Sequence, residues 1–234
     1  MSSPGMSDER PNLDFAMIMA SAVHDMKNSL SMVLHSLEQL GGELGESQSL
    51  SQRVGLLQYE AARVNNDLVQ LLGLYKLQNQ QLPLRVDEHF VHDFLDEQMA
   101  RYELLFSNRG ISCELICEPD LIGYFDEELV AGIVNNILAN AIRYTRTKIQ
   151  VEARQIDDYL VLSINDDGTG FPARMLNAME QPDRGINFDT GSTNLGLYFA
   201  RQIASLHQQD DRRGSIELTN GGPLGGGLFR LLLP

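Results

Sequence analysis

Two asparagines four residues apart, Asn136 and Asn140, sit in the apolar run Ile133-Val134-Asn135-Asn136-Ile137-Leu138-Ala139-Asn140-Ala141-Ile142, and Arg143 and Tyr144 follow directly. On a helix, positions i, i+4 and i+7 share one side. The spacing therefore lines up two carboxamides, a guanidinium and a phenol against an apolar face made by Ile133, Val134, Ile137, Leu138, Ala141 and Ile142. An amide oxygen can ligate a hard cation, and Arg can hold phosphate oxygens. A buried helix whose Asn side chains cap loops or bond to backbone fits the same pattern.

Four further stretches could do chemistry. In Val23-His24-Asp25-Met26-Lys27-Asn28-Ser29-Leu30, the apolar Val23 and Leu30 push His24, Asn28, Ser31 and His35 onto one polar stripe. Asp25 beside His24 could hold one ring nitrogen protonated and leave the other nucleophilic. An ordinary surface histidine next to an acid looks the same. In Asn165-Asp166-Asp167-Gly168-Thr169-Gly170, a strand-end carboxylate precedes Gly-x-Gly. The glycines permit close backbone approach to a flat ligand, and the carboxylate can accept from an exocyclic amine. Turns use the same residues. Gly191-Ser192-Thr193-Asn194-Leu195-Gly196-Leu197 enters a helix. Small residues with free amides there form an anion site or a plain N-cap. Gly225-Gly226-Gly227-Leu228-Phe229 precedes the last strand and is, alone, a flexible turn.

The elements that must position these groups follow from hydrophobic spacing. Residues 1–12 are polar and carry Pro and Gly, as a loose tail does. From Leu13 apolar residues step by threes and fours as far as Leu40, where Gly41-Gly42 stops the helix. A second helix starts near Ser49, and Leu50, Val54, Leu57, Ala61, Val64, Leu68, Leu71 and Tyr75 keep a heptad seam. The two make an antiparallel helical hairpin over 13–81, which cannot bury both stripes by itself. A homodimer closing a four-helix bundle is the expected solution. The polar run ending at Pro83 marks a boundary, and 82–234 forms a second domain. There the spacing predicts a helix over His89–Ser107, a strand over Ile111–Cys117, and the Asn helix after Asp126. A hairpin of Lys148–Arg154 and Tyr159–Asn165 turns at Asp157-Asp158. Residues 171–194 read as irregular, Leu195–His207 as a helix, and Ser215–Leu218 and Leu228–Leu233 as strands. Helices on one side of a mixed sheet give an α/β sandwich, so the fold class is α plus α/β.

Composition excludes several functions. With 234 residues and a net charge of −14, the chain lacks the basic surface that nucleic acid or an anionic membrane demands. No apolar run reaches bilayer length, and no secretory signal is visible, so a cytoplasmic setting is expected. Two cysteines, Cys113 and Cys117, read as reduced and structural. His35, His89, His92 and His207 read as surface or structural.

In order and spacing the five stretches resemble the sensor histidine kinases of two-component signalling, over about residues 13–234. His24-Asp25 with Asn28 is similar to their H box, Asn136–Tyr144 to the N box, and Asp166–Gly170, Ser192–Leu197 and Gly225–Phe229 to the three glycine boxes. The resemblance implies a dimerisation and phosphotransfer hairpin followed by an ATP-binding domain of the GHKL (Bergerat) type. It implies that His24 accepts the γ-phosphoryl group of ATP and passes it to an aspartate of a response-regulator receiver domain. Asp25 would act as the neighbouring base. Asn28 stands where the family links a residue to phosphatase action. Asn140 with Asn136 would hold Mg²⁺, Arg143 would contact phosphate, and Tyr144 would lie beside the nucleotide. Asp166 would accept from the adenine amine, with Gly168 and Gly170 shaping the base pocket, and Thr193, Asn194, Leu195, Gly196 and Leu197 would face the phosphates. Gyrase-like ATPases and anti-sigma serine kinases place a Glu four residues before the Mg²⁺-binding Asn. Here that residue is Asn136, which cannot serve as a base, so the nucleophile must be activated elsewhere.

The chain also departs from the family pattern. Ser192-Thr193-Asn194 replaces the usual Gly-x-Gly, Leu228 replaces a Thr or Ser, and Asn28-Ser29 replaces a Thr-Pro, so no proline kink is expected. The span between the first two glycine boxes is short, with Phe188 its one aromatic between 172 and 194. These departures keep alternatives open: a phosphotransfer or scaffold protein with a degenerate nucleotide domain, or a regulatory partner of another kinase. No sensing module is visible: either an input domain lies beyond this sequence or the signal arrives through a partner, so a separate sensor protein is a further candidate partner.

Overall fold

The computed structural model describes residues 48–79, 81–180 and 195–234, together with Val23, Met26, Asn28, residues 30–35 and Leu37. The expected tail over 1–12, His24, Asp25, the turn after Gly41-Gly42, Phe188, Thr193 and Asn194 lie outside the described residues. The described residues between 23 and 37 are helical, with Val23 buried and Asn28, Ser31 and His35 exposed.

Helix α1 (Gln48–Gln78) spans 31 residues. Of the seam expected on it, Leu57, Val64 and Leu71 are exposed in the single chain. A neighbouring stripe faces inward instead. Gln70 is 1% exposed, Leu74 packs against the core, and Gly73 lies under the Phe199 ring. A Cβ at Gly73 would come within 2.8 Å of that ring, so the bare glycine sets how closely the helix approaches.

Next come β1 (Asp87–Phe90), α2 (Val91–Ala100) and α3 (Glu103–Arg109). This corrects the single helix expected over His89–Ser107. Strand β1 pairs antiparallel with β3 (Ile122–Phe125), setting Phe90 opposite Ile122, and that partner lies some thirty residues away. The helix then breaks at Tyr102, whose φ of −109° and ψ of 2° leave the helical region. Gly110, at φ 64°, ends α3 in a left-handed cap.

Strand β2 (Ser112–Cys117) pairs parallel with β4 (Lys148–Ile156). Strand β4 turns through Asp157, at φ 51°, into β5 (Tyr159–Asp166), which is the expected hairpin. The sheet is completed by β9 (Gly227–Leu233) and β8 (Ser215–Asn220), in the order β2-β4-β5-β9-β8. Period-two alternation puts Val151, Ile164 and Phe229 in register on one face, with Ala153, Leu162 and Leu231 beside them, and all six are buried. Helices α2, α4 (Glu127–Tyr144) and α6 (Leu195–Leu206) cover that face. The mixed sheet with helices on one side is the two-layer sandwich expected.

Helix α5 (Ala173–Glu180) corrects the irregular reading of 171–194. Pro172 starts it, accepting at its carbonyl from Met175 and Leu176. A ribbon of two-residue strands, β6 (Gln208–Gln209) and β7 (Arg212–Arg213), was also unexpected, since it is too short to carry a periodicity. No helix among the described residues is long and apolar enough to cross a membrane.

Candidate functional site

Helix α4 is clamped at both ends. At its start Asp126 caps the helix, Oδ1 accepting from the Leu129 N–H at 3.0 Å. Its Oδ2 accepts from the Arg85 N–H at 2.8 Å, tying in the segment after α1. The Asp126 N–H donates to His207 Nε2 at 3.0 Å. That nitrogen must therefore carry a lone pair, and His207 Nδ1–H donates to the Ile203 carbonyl at 3.0 Å. Burial pushes the His207 pKa down, outweighing the carbonyl and the nearby Asp126, and keeps the ring neutral. His207 is thus structural, as expected.

At the other end Arg109 donates to the Ile142 carbonyl at 3.1 Å. Asp167 grips the loop that follows: it accepts from the Thr145 and Thr147 hydroxyls at 2.5 and 2.6 Å and from the Arg146 and Thr147 N–H groups. Burial raises the Asp167 pKa, but these hydrogen bonds outweigh it and hold the carboxyl well below the usual carboxylate range. Nothing local in the sequence marks Asp167 for this role, because its partners lie twenty residues upstream.

The apolar face of α4 is buried as expected: Ile133, Val134, Ile137, Leu138, Ala141 and Ile142 all enter the core. The opposite side borders a cavity of about 440 Å³. Asn136, Asn140, Arg143, Tyr144, Asp166, Gly170, Gly196 and Leu197 all line it. These residues come from three separate stretches of sequence, and the fold brings them together. The cavity is of small-ligand size.

Its interior explains the residue types. Asn136 is 7% exposed, and its Nδ2 has no hydrogen-bond partner among the described residues. A buried amide without a partner costs free energy unless something polar meets it. Asn140, one turn on, is exposed, and Arg143 stands 5.4 Å above the Tyr144 ring. Asp166 Oδ1 accepts from the Gly168 and Gly227 N–H groups at 2.7 and 3.2 Å, which aims the carboxylate and leaves Oδ2 for an outside donor. A Cβ on Gly168 would lie 2.8 Å from Asp166 Oδ1, so only glycine permits this turn. Gly170 holds φ 77°. An amide pair, a guanidinium and a half-engaged carboxylate around one cavity match the polar parts of a metal-bound nucleotide triphosphate: amides for the cation and phosphates, a carboxylate for an amine.

Not every expected residue joins this group. Gly168 and Leu195 are not in the cavity wall, Asn28 lies on an exposed helical stretch, and His24, Asp25, Thr193 and Asn194 lie outside the described residues. Other residues enter unannounced. Tyr102, Phe171 and Arg174 line the cavity beside Phe229 of the last glycine box, and so do Ala62, Arg63, Asn66 and Asp67 of α1. No motif flags the α1 residues, because they lie on the ordinary polar flank of a heptad helix.

Comparison with known proteins agrees with this geometry. Residues 125–234 match the family described as "Histidine kinase-, DNA gyrase B-, and HSP90-like ATPase". The chain is 26% identical over 199 residues to the sensor histidine kinase CssS of Bacillus subtilis (strain 168), covering 84% of this chain and 42% of that protein. It is 23% identical over 186 residues to the virulence sensor histidine kinase PhoQ of Salmonella typhimurium (strain 14028s / SGSC 2262), covering 79% of this chain and 37% of that one. The chain thus spans less than half the length of these relatives. The fold is similar to the solved catalytic domain of the histidine kinase ThkA, with a TM-score of 0.53 and 21% identity over 64% of this chain and 95% of that one. The likeness to sensor histidine kinases and the GHKL-type sandwich read from the motifs are both borne out.

Proposed function

We propose that the chain, whose residues 125–234 match the family described as "Histidine kinase-, DNA gyrase B-, and HSP90-like ATPase", is an ATP-dependent protein-histidine kinase of two-component signalling that phosphorylates His24. The observation that carries this reading is the cavity beside α4. There the partnerless amide of Asn136 and the aimed carboxylate of Asp166 line the same space.

In this reading Asn140, with Asn136, holds Mg²⁺, and Arg143 holds phosphate oxygens. Asp166 Oδ2 accepts from the adenine amine, with Gly168 and Gly170 letting the backbone approach the ring. Tyr144 lies beside the nucleotide. The segment Thr193-Asn194-Leu195-Gly196-Leu197 faces the phosphates, where N–H groups at the start of α6 favour negative charge. Bound Mg²⁺–ATP supplies the phosphoryl group and the cation that neutralises it. The protein contributes position and charge, with little covalent work of its own. The nucleophile is a ring nitrogen of His24. Asp25 beside it holds the other nitrogen protonated and stabilises the positive ring. Asn136 cannot take a proton from water, so the cavity holds nucleotide without a base at that position.

We further propose that the phosphoryl group passes to an aspartate of a response-regulator receiver domain, that Asn28 assists its later hydrolysis, and that the protein works in the cytoplasm. Residues 13–81 would form the phosphotransfer hairpin and 82–234 the ATP-binding domain. The exposed seam residues Leu57, Val64 and Leu71 favour a homodimer through that hairpin.

Incubating the purified chain with Mg²⁺ and γ-labelled ATP tests the central claim. Acid-labile, alkali-stable label that disappears in His24→Ala is the expected result. Absence of both label and nucleotide binding would sink the proposal. Label acquired only from a phosphorylated receiver would point to a phosphotransfer protein instead.

A further inference from the structure

The nucleotide cavity has a wall from outside the ATP-binding domain. Arg63, Asn66 and Asp67 of α1 line it together with Asn136, Asn140 and Arg143 of α4. The stripe Arg63, Asn66, Asp67, Gln70, Gly73 and Leu74 steps by threes and fours, so one face of α1 is turned to the domain. Its end docks well: Gly73 sits under Phe199, and Leu74 joins the core.

The rest of this face docks poorly. Gln70 is 1% exposed, and neither its Oε1 nor its Nε2 has a hydrogen-bond partner among the described residues. A buried carboxamide in that state weakens the contact that buries it. Asp67 is exposed at the cavity wall, and its partial burial there raises its pKa against the opposing pull of Arg63. Arg63 is itself paired with Glu60 at 2.8 Å, so its charge is shared between two carboxylates. Residues 60–67 of α1 therefore carry one net negative charge, and Asp67 is the one carboxylate among them that lines the cavity. Across the cavity Arg143 and Arg174 supply positive charge. The remaining carboxylate in the wall, Asp166, has one oxygen bound to two backbone N–H groups.

Resting on the reading of this cavity as a nucleotide site, we propose that Asp67 is a negative determinant of nucleotide affinity: docked α1 presents its carboxylate to the space the anionic nucleotide takes, so the docked helix and the nucleotide compete. The coupling is reciprocal, and nucleotide loosens α1 from the domain by the same factor by which docked α1 weakens nucleotide. The partnerless Gln70 keeps the docked state shallow enough for that exchange.

The test is binding of Mg²⁺–ATP and of a fluorescent ATP analogue to the full chain, by calorimetry and titration, with thermal unfolding alongside. Asp67→Asn should tighten binding about threefold or more. Gln70→Leu replaces the partnerless amide with an apolar group of similar size. It should raise the melting temperature and weaken binding, whereas a purely structural role for Gln70 would raise the temperature alone. Gly73→Leu should clash with Phe199, release the helix, tighten binding, and erase the effect of Asp67→Asn in the double variant. Unchanged or weaker binding in Asp67→Asn would overturn the proposal, weaker binding marking Asp67 as a ligand of the bound cation instead. No binding in the parent chain but binding in Gly73→Leu would support it strongly. No binding in any variant would overturn the nucleotide reading itself.

Discussion

Gly196, at the start of α6, rests directly on the side chain of Asn136 in α4: a methyl group added to it would lie 2.6 Å from Asn136 Oδ1 and 2.7 Å from its Cγ. Two motifs sixty residues apart are thus packed against each other through a missing side chain. The contact fixes where the buried amide points, and it explains why this position has no room for alanine.

Gly196→Ala should therefore displace Asn136 rather than unfold the domain. Nucleotide affinity is expected to fall about tenfold, equal to about 1.4 kcal/mol. Far-ultraviolet circular dichroism should stay unchanged. Parent-like affinity would show that Asn136 does not touch the ligand.

Asn140→Ala and Asn140→Asp should both abolish labelling from γ-labelled ATP while leaving the solution mass of the protein unchanged. The side chain is exposed on the cavity side of α4 and supports no core contact, so stability should change by less than about 0.5 kcal/mol. Retained labelling in both variants would show that the metal is held elsewhere.

Asp166→Asn keeps the shape of the carboxylate but puts a donor among donors. Discrimination for adenine over guanine nucleotides should shrink, and ATP affinity should drop by about 1–3 kcal/mol, the cost of a mismatched buried polar group. Competition titrations with ATP and GTP would read this. Equal loss for both nucleotides would argue for a fold defect instead.

The neutral His207 makes stability pH-dependent in a fixed direction. Its pKa is lower in the folded protein than the ordinary value near 6.5, because burial disfavours the charged ring, whose Nε2 accepts from the Asp126 N–H. The unfolded chain then binds more protons in the window below about 6.5, so stability is complete above that pH and falls as the solution is acidified through it. Melting temperatures measured between pH 8 and 5 should decline on the acid side. His207→Gln, which cannot be protonated, should be less stable at pH 8 and should flatten that decline. An unaltered slope in the variant would assign the decline to other groups.

Much of the site was legible in the chain itself. Hydrophobic spacing placed the core face of α4, and the 3.6-residue period put Asn136 and Asn140 on the side away from it. The strand-end Asp166 and its glycines were legible because a carboxylate aimed by nearby N–H groups needs a local turn, and local turns are written in adjacent residues. Even His207, read only as surface or structural, was bounded correctly.

What the sequence could not decide was which element would meet which face. Phe90 has a helical neighbourhood by spacing, yet it pairs as strand with Ile122. Asp167 looks like one more turn residue, yet it fastens the loop after α4 from twenty residues downstream. The flank of α1 carries no motif beside its heptad seam, yet Gln70 is buried and Asp67 borders the cavity. Local spacing determines the faces of an element because backbone geometry repeats every few residues. The partner of each face is set by long-range packing, where shape, burial and chain connectivity are settled together, and that is decided only in the tertiary structure.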